Sequence, residues 1–210
     1  MKYPDFFDAI PQLSLRDPLA GFLGAVGDGV IDYGYVDAVK LAGHSCPTVA
    51  SAYWMTHRAL GALYGAELPE RGAIRVEFRE DRLDGVAGVI ANVVSMLTGA
   101  TQDTGFKGLA GRFDRRHLLF FNADVPLDIR FSRIDNGDRV DVAARLQKVA
   151  GDPGSALLMG RCLSGKADAE EARRFGALWQ DRVRRILLDH CADPEVFLLR
   201  HAPADHGIGD

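Results

Sequence analysis

Two alternating segments joined by Asn136 and Gly137 sharply limit the folds open to this chain. Apolar and polar residues alternate from 127 to 132, and apolar residues return at every second position from 140 to 144. This alternation is typical of a strand with one buried face, and Asn-Gly between two such strands favours a tight hairpin. The second half of the chain is therefore predicted to form a largely antiparallel sheet.

Helical periodicity places helices beside this sheet. Apolar residues recur at helical spacing in the ranges 47–65, 86–99 and 167–190. Asp168, followed three residues later by Glu171, has the pattern of a capping box at the start of the last of these helices. Further short strands are predicted at 74–78, 117–121 and 196–199. This mixture predicts an α+β fold with a largely antiparallel sheet packed against helices.

Proline and glycine divide the chain into three parts. They interrupt the first 40 residues, so we predict a helical amino-terminal segment of short pieces over residues 1–40. Residues 41–200 are predicted to form the α+β core, and residues 201–210 a flexible tail. Within the core, residues 101–112 are rich in glycine and polar groups. They are predicted to form a long loop, a kind of segment that is often functional.

Charge and apolar content disfavour several classes of protein. The chain has 25 Lys and Arg residues against 29 Asp and Glu residues, whereas a general nucleic-acid binder is expected to be basic. No stretch approaches the roughly 18 apolar residues of a membrane span, and the first residues lack the pattern of a targeting signal. The three cysteines are far apart, which favours a reducing compartment. We expect a soluble cytoplasmic protein with neither a nucleic-acid nor a membrane partner.

His44 and Cys46 are the residues with the clearest chemical potential, because they stand directly before the predicted helix start at Pro47. In an extended segment, residues two apart point to the same side, so an imidazole and a thiol can meet at one point. The start of a helix also stabilises a thiolate. The pair predicts either part of a zinc site or a nucleophile with its base. The alternative is a small apolar cysteine without a chemical role.

Several segments carry a family resemblance. Residues 43–47 read Gly-His-Ser-Cys-Pro, residues 97–101 read Leu-Thr-Gly-Ala-Thr, and residues 105–109 read Gly-Phe-Lys-Gly-Leu. In this order they resemble the Gly-His-x-Cys-Pro-Gly, Thr-Gly-Cys-Thr and Gly-Lys-Gly-Asn-Leu segments of the FmdE family, which is named after a component of formylmethanofuran dehydrogenase. The acidic helix from Asp168 and residues 193–197 also resemble the end of that family's core domain. The resemblance implies an α+β core, frequent homodimerisation and a metal site, usually taken as zinc, with another divalent transition metal as the alternative.

The chain departs from the family pattern at several positions. Thr48 stands where the first signature ends in glycine, and Val89 lies in the stretch where the family usually has a cysteine. Ala100 replaces the cysteine of the Thr-Gly segment, and no Cys-x-x-Cys zinc ribbon follows the core. Two candidate ligands, His44 and Cys46, remain. A structural zinc site takes four protein ligands and a catalytic one usually takes three plus water.

The resemblance also places the predicted loop near the family's site. Lys107 is a candidate catalytic residue there, because a lysine can hold an anionic substrate group as a point charge. Asp103 is a second candidate for assisting the chemistry, and Gln102 and Thr104 lie on the same loop. The alternative for Lys107 is an ordinary solvated lysine.

The remaining histidines are weaker candidates. His57 is predicted to lie at the surface or at an interface, and His190 to complement the dipole of the last helix. His117 opens a predicted strand. His201 and His206 belong to the predicted tail, which is expected either to close over a site, to reach a partner subunit or to serve no role.

Three functions follow from these residues. The first, which we prefer, is a metal-binding protein in which His44 and Cys46 hold zinc, with a catalytic role left open. The second is a metal-free enzyme with Cys46 as the nucleophile and His44 as the base. The third is a non-catalytic accessory subunit of a larger redox enzyme. The expected partners are a small-molecule substrate or a partner enzyme, and a second copy of the chain in a homodimer.

Overall fold

The computed structural model describes residues 2–202, and its helices and strands confirm the predicted α+β class. The strands are β1 (Leu13–Arg16), β2 (Val30–Tyr33), β3 (Ile74–Phe78), β4 (Lys107–Leu109), β5 (Arg112–Asp114), β6 (Leu119–Phe120), β7 (Ile129–Arg133), β8 (Arg139–Ala144) and β9 (Phe197–Ala202). The α-helices are α1 (Pro18–Phe22), α2 (Tyr35–Ala42), α3 (Pro47–Tyr64), α4 (Ala87–Thr98), α5 (Ser155–Leu163) and α6 (Ala169–Arg184). Short 3-10 turns lie at Asp5–Ala9 and Leu146–Lys148, and a π-helical turn, Arg185–Asp189, continues α6.

Five strands form the central sheet in the order β6-β3-β7-β8-β9. Neighbouring strands are antiparallel except β3 and β6, which are parallel, so the predicted largely antiparallel sheet is confirmed. The β7–β8 hairpin turns through Asn136 and Gly137, as predicted, and Gly137 supplies a positive φ of 76°. Phe131 of β7 pairs with Val140 of β8, and both side chains are buried.

Helix α3 lies at the centre of the described molecule because it is apolar around most of its circumference. Most of its 18 residues are buried, and it packs on α4 and on strands β7 and β8. Its bounds agree with the helix predicted over residues 47–65, and Gly65 follows it with a positive φ of 59°. Helix α4 likewise agrees with the helix predicted over residues 86–99. The predicted residues His44 and Cys46 therefore lie directly before a largely buried helix.

The amino-terminal segment differs from the predicted set of helical pieces. Besides α1, α2 and the first 3-10 turn, it contains a two-stranded antiparallel ribbon of β1 and β2, in which Leu15 pairs with Ile31. Each strand of the ribbon has only four residues. Periodicity over so short a stretch does not separate a strand from a helical piece, and the pairing joins residues that are distant in sequence.

A buried ionic cluster of Asp17, Arg71 and Arg115, called here the Asp17 cluster, ties this segment to the core. Arg71 Nη1 and Arg115 Nη2 each lie 2.8 Å from a carboxylate oxygen of Asp17. Asp17 also caps α1 through the backbone N–H groups of its first turn. Both Asp17 and Arg115 are buried. Arg115 packs so closely on Gly72 and Gly99 that a Cβ added to either glycine would clash with Nη1.

Other segments differ from the sequence prediction in extent. The loop predicted over residues 101–112 contains β4 and the start of β5, which form a small hairpin. Strand β6 is shorter than the predicted 117–121, and His117 before it has a positive φ of 56°. Helix α5 has no counterpart in the prediction, because it has only nine residues and contains Gly160.

The last elements of the chain extend the sheet. Strand β9 is longer than the predicted 196–199 and includes residues 201 and 202 of the predicted tail. Residues 203–210 of that tail, with His206, lie outside the described residues. The described helices include none with the length and apolar character needed to span a membrane.

Candidate functional site

Residues 43–46 connect α2 to α3 and carry both predicted ligands. Gly43 ends α2 with a positive φ of 75°, and Cys46 is the extended residue before the first turn of α3. The backbone N–H of Val49 donates to Cys46 Sγ at 3.5 Å. The half-buried sulfur of Cys46 therefore lies at the positive end of an 18-residue helix.

Ser45, between the two candidate ligands, is held by side chains from two other helices. Tyr35 of α2 donates its hydroxyl proton to Ser45 Oγ at 3.0 Å, and Ser45 Oγ donates in turn to Gln180 Oε1 at 3.0 Å. The carbonyl oxygen of Ser45 accepts from Trp179 Nε1 at 3.0 Å and from Gln180 Nε2 at 3.1 Å. These four hydrogen bonds, called here the Ser45 clamp, fix the middle of the loop against α2 and α6.

Tyr35 contributes a buried hydroxyl to the Ser45 clamp. Burial raises the pKa of Tyr35 well above its ordinary value of 10.0, and negative charge on Cys46 raises this pKa further, whereas the hydrogen bond with Ser45 lowers it. Tyr35 stays protonated across the physiological range and serves as a donor in the Ser45 clamp.

His44 is oriented by its own backbone. Its ring Nδ1 lies 2.9 Å from the carbonyl oxygen of Ala42. Because a carbonyl only accepts, Nδ1 carries the proton in the neutral ring and Nε2 keeps its lone pair. His44 is exposed, and within residues 2–202 its ring makes no hydrogen bond to Cys46. The two side chains are not joined as a nucleophile and its base.

The metal site predicted at this loop depends on these two side chains. Across residues 2–202, His, Cys, Asp and Glu side chains form no group of three or more that could hold a metal ion. His44 and Cys46 are thus a pair of donors without a third protein donor from the described part of the same chain.

The predicted loop residues are separated by the fold. Lys107 is exposed on β4, where it pairs in register with Asp114, and no hydrogen bond or ion pair within residues 2–202 links it to the His44–Cys46 loop. Asp103 is also exposed. Gln102 and Thr104 line a cavity beside α4 whose walls include neither His44 nor Cys46. The structure therefore gives no contact through which Lys107 or Asp103 would assist chemistry at Cys46.

The other histidines lie elsewhere. His57 is half-buried, with its ring stacked on Trp54 at 4.8 Å, and burial lowers the pKa of His57 below its ordinary value of 6.5. The sequence predicted a surface or interface position, but the indole of Trp54 covers this ring. His190 Nδ1 pairs with Asp193 at 3.0 Å, which lowers the pKa of Asp193. The exposed residue His117 lies two positions before β6, and the exposed residue His201 lies in β9.

The residues of the Ser45 clamp were not predicted from the sequence. Tyr35 and Trp179 belong to apolar helical patterns, where packing is the default role, and Gln180 carries no motif. Trp179 and Gln180 are separated from Ser45 by 134 and 135 positions. No local pattern signals a contact over that distance.

Comparisons with known proteins add no family assignment. No protein-family model matches this chain, and no curated protein matches it significantly.

Proposed function

We propose that this chain is an FmdE-like protein that binds a thiophilic divalent metal ion, zinc by preference, through His44 Nε2 and Cys46 Sγ. The observation that carries the proposal is the hydrogen bond from His44 Nδ1 to the Ala42 carbonyl. A metal-ligating histidine almost always donates its second ring N–H to a carbonyl or carboxylate, which fixes the tautomer and turns the other nitrogen to the ion. His44 has this arrangement, and its exposure leaves Nε2 accessible.

The surroundings of Cys46 support the same role. The sulfur accepts a hydrogen bond from the Val49 N–H and lies at the start of α3, and zinc binds cysteine sulfur. The Ser45 clamp holds the peptide between the two ligands. Because the loop is already ordered, metal binding does not have to fix its backbone.

The ligand number sets the expected strength of binding. Zinc prefers four ligands in a tetrahedral arrangement, and one chain supplies two in this proposal. The remaining positions are then taken by water, by a substrate or by donors of a second chain. The homodimer implied by the family resemblance is one source of such donors. An ion with open positions is also the arrangement that suits chemistry at the metal.

A metal-free cysteine enzyme is the second candidate. The half-buried thiol of Cys46 at a helix start favours it. Its proposed base, however, makes no hydrogen bond to the sulfur within the described residues, and a nucleophile and its base are expected within hydrogen-bond reach, although this distance is often longer in ligand-free structures.

An accessory subunit that docks on a larger enzyme is the third candidate. Helix α5 leaves Leu157 and Leu163 72% and 82% exposed. Such an apolar surface suits a protein partner.

Cobalt titration of tag-free protein tests the proposal. We expect about one ion per chain, with a thiolate-to-cobalt charge-transfer absorption that is lost in Cys46→Ser. The variant His44→Ala is expected to bind the ion about tenfold or more weakly. His117→Ala and Cys162→Ser, which alter another exposed histidine and another half-buried cysteine, serve as controls and should bind as the parent does.

Two results would contradict the metal proposal. One is the absence of a thiolate-to-cobalt absorption in the parent protein, and the other is cobalt affinity that His44→Ala leaves unchanged. Rapid alkylation of Cys46 that zinc does not slow and that falls in His44→Ala would instead support the metal-free enzyme.

A further inference from the structure

A cavity of about 580 Å³ lies between helix α4, the segment after it and the end of β6. One wall is the outer face of α4, the opposite wall is formed by Thr101, Gln102 and Thr104, and the floor contains Leu119 and Phe121. This volume is within the usual range for small-molecule sites, roughly 300–1,000 Å³. The cavity shares no lining residue with the His44–Cys46 loop, so it constitutes a separate candidate site.

Two hydrogen-bonding side chains of α4 face this cavity. The helix is apolar except for Asn92, Ser95 and Thr98. Thr98 is buried and uses its hydroxyl within the helix, donating to the carbonyl of Val94. Asn92 and Ser95 line the cavity instead. The polar groups of an otherwise apolar helix are thus concentrated where the cavity opens.

The opposite wall adds two more such groups, Gln102 and Thr104. Among the hydrogen bonds formed within residues 2–202, none involves the side chain of Asn92, Ser95, Gln102 or Thr104. The Thr101 hydroxyl, by contrast, donates to the carbonyl of Arg115. Four side chains that can donate hydrogen bonds therefore converge on one cavity with their bonding capacity unused by the fold.

The charge of the lining is positive. Arg82 is the one charged residue among the lining residues of this cavity, which include neither aspartate nor glutamate. The neighbouring carboxylate of Asp81 accepts from the N–H of Leu83 and from Asn122 Nδ2. In a chain with a net charge of −4, a cavity with an arginine and no lining carboxylate favours an anionic ligand.

The floor and one side are apolar. Phe121 stacks on Phe78 with ring centroids 5.1 Å apart, which fixes the floor. Val89 is 38% exposed and Leu83 is 83% exposed, and both line the cavity. An apolar ligand body would cover these side chains and remove their surface from water.

We propose that this cavity binds a small organic acid with an apolar body. The carboxylate pairs with Arg82, its remaining lone pairs accept from amides and hydroxyls among Asn92, Ser95, Gln102 and Thr104, and the hydrocarbon part lies on Leu119 and Phe121. A carboxylate suits this lining because it only accepts hydrogen bonds. The proposal is independent of metal binding at His44 and Cys46.

Matched pairs of carboxylates and amides test the ligand class. The probes are hexanoate, benzoate and 3-phenylpropionate, each compared with its primary amide, and binding is followed by NMR spectra of isotopically labelled protein. At least one carboxylate is expected to shift the side-chain amide signals of Asn92 and Gln102. Its amide should bind about tenfold more weakly, because a hydrogen bond to a charged group is worth more than one to a neutral group.

Two arginine variants separate the site from general charge effects. Arg82→Leu is expected to reduce binding of that carboxylate to the level of its amide. Arg79→Leu removes an exposed arginine that pairs with Asp128 outside the cavity lining, and binding should stay unchanged. Ser95→Leu, with its fold checked by circular dichroism, fills the cavity and should abolish binding of both members of the pair.

Three outcomes would overturn the proposal. They are no shift of the Asn92 and Gln102 signals by any of the three carboxylates at millimolar concentration, equal binding of each carboxylate and its amide, and carboxylate binding that Arg82→Leu does not weaken.

Discussion

The Asp17 cluster and the Ser45 clamp both join distant parts of the chain through polar side chains, but they leave different atoms available. In the cluster, both carboxylate oxygens of Asp17 are taken by arginines and by the first turn of α1, and the group is buried. In the clamp, hydrogen bonds fix Ser45 while Nε2 of the adjacent His44 stays exposed. The cluster therefore serves stability, whereas the clamp fixes the loop that carries the two proposed metal ligands.

The largest expected effect is the loss of the buried carboxylate. Asp17→Asn leaves Arg71 and Arg115 without their counter-charge, and breaking a buried pair in this way typically costs about 3–5 kcal/mol of unfolding free energy. Urea denaturation measures it. Asp114→Asn, which removes an exposed carboxylate paired with Arg116, serves as the control and should change stability little. Equal effects of the two variants would contradict the structural role of the cluster.

The next largest loss of stability is expected where Gly99 packs closely on Arg115. Gly99 and Gly43 both have a φ of 75° and both end a helix, but a Cβ on Gly43 meets nothing within 4 Å, whereas one on Gly99 meets Arg115 Nη1 at 2.6 Å. Gly99→Ala and Gly43→Ala share the backbone cost of a positive φ. We expect Gly99→Ala to be more destabilising by about 1–3 kcal/mol, the usual cost of overpacking. Urea denaturation measures both variants. Equal free energies of unfolding for Gly99→Ala and Gly43→Ala would show that the Arg115 side chain moves aside without cost.

Acid is expected to weaken the cluster. Burial alone raises the pKa of Asp17, but hydrogen bonds from Arg71 and the Ala20 N–H, with the positive charges of both arginines, hold this pKa below its ordinary value of 3.8. A group whose pKa is lower in the folded state stabilises it above the unfolded pKa, and this contribution is lost as pH falls through the folded pKa.

The stability difference between the parent protein and Asp17→Asn should accordingly shrink between about pH 5 and about pH 2. Urea denaturation at several pH values measures this difference. A difference that stays constant over the range would show that the carboxylate of Asp17 is not the titrating group.

The smallest effect on stability is expected at the clamp. Ser45→Ala removes the hydroxyl that accepts from Tyr35 and donates to Gln180, and because Ser45 is half-buried the cost is about 0.5–1.5 kcal/mol. Cobalt affinity is also expected to fall, by about tenfold, because the loop carries both proposed ligands. Ser164→Ala alters an exposed serine at the end of α5 and should leave cobalt affinity unchanged. If Ser45→Ala binds cobalt as tightly as the parent protein, the Ser45 clamp does not support the proposed metal site.

The sequence predicted those elements that have a strong local signal. Helix α3 and the β7–β8 hairpin follow from periodicity over many residues and from Asn136-Gly137. The β1–β2 ribbon and α5 were not predicted, because their elements are short. The parallel pairing of β3 with β6 was not predicted either, because no local pattern indicates it.

At the candidate site, too, the features with a local signal were predicted and those that depend on distant residues were not. The position of Cys46 at a helix start follows from the adjacent Pro47. The role of Ser45 depends on residues more than 130 positions away, and the hydrogen bond from His44 to Ala42 depends on how the loop leaves Gly43. Tertiary structure, not spacing, decides which side chains converge.

X-ray absorption spectroscopy at the zinc edge of zinc-loaded protein measures the type and distance of the atoms bound to zinc. It requires no assumption about activity. The proposal predicts one sulfur neighbour at about 2.3 Å and nitrogen or oxygen neighbours at about 2.0–2.1 Å, with the sulfur lost in Cys46→Ser and an imidazole contribution lost in His44→Ala. A shell of oxygen and nitrogen alone, unchanged in both variants, would show that the His44–Cys46 loop is not a metal site.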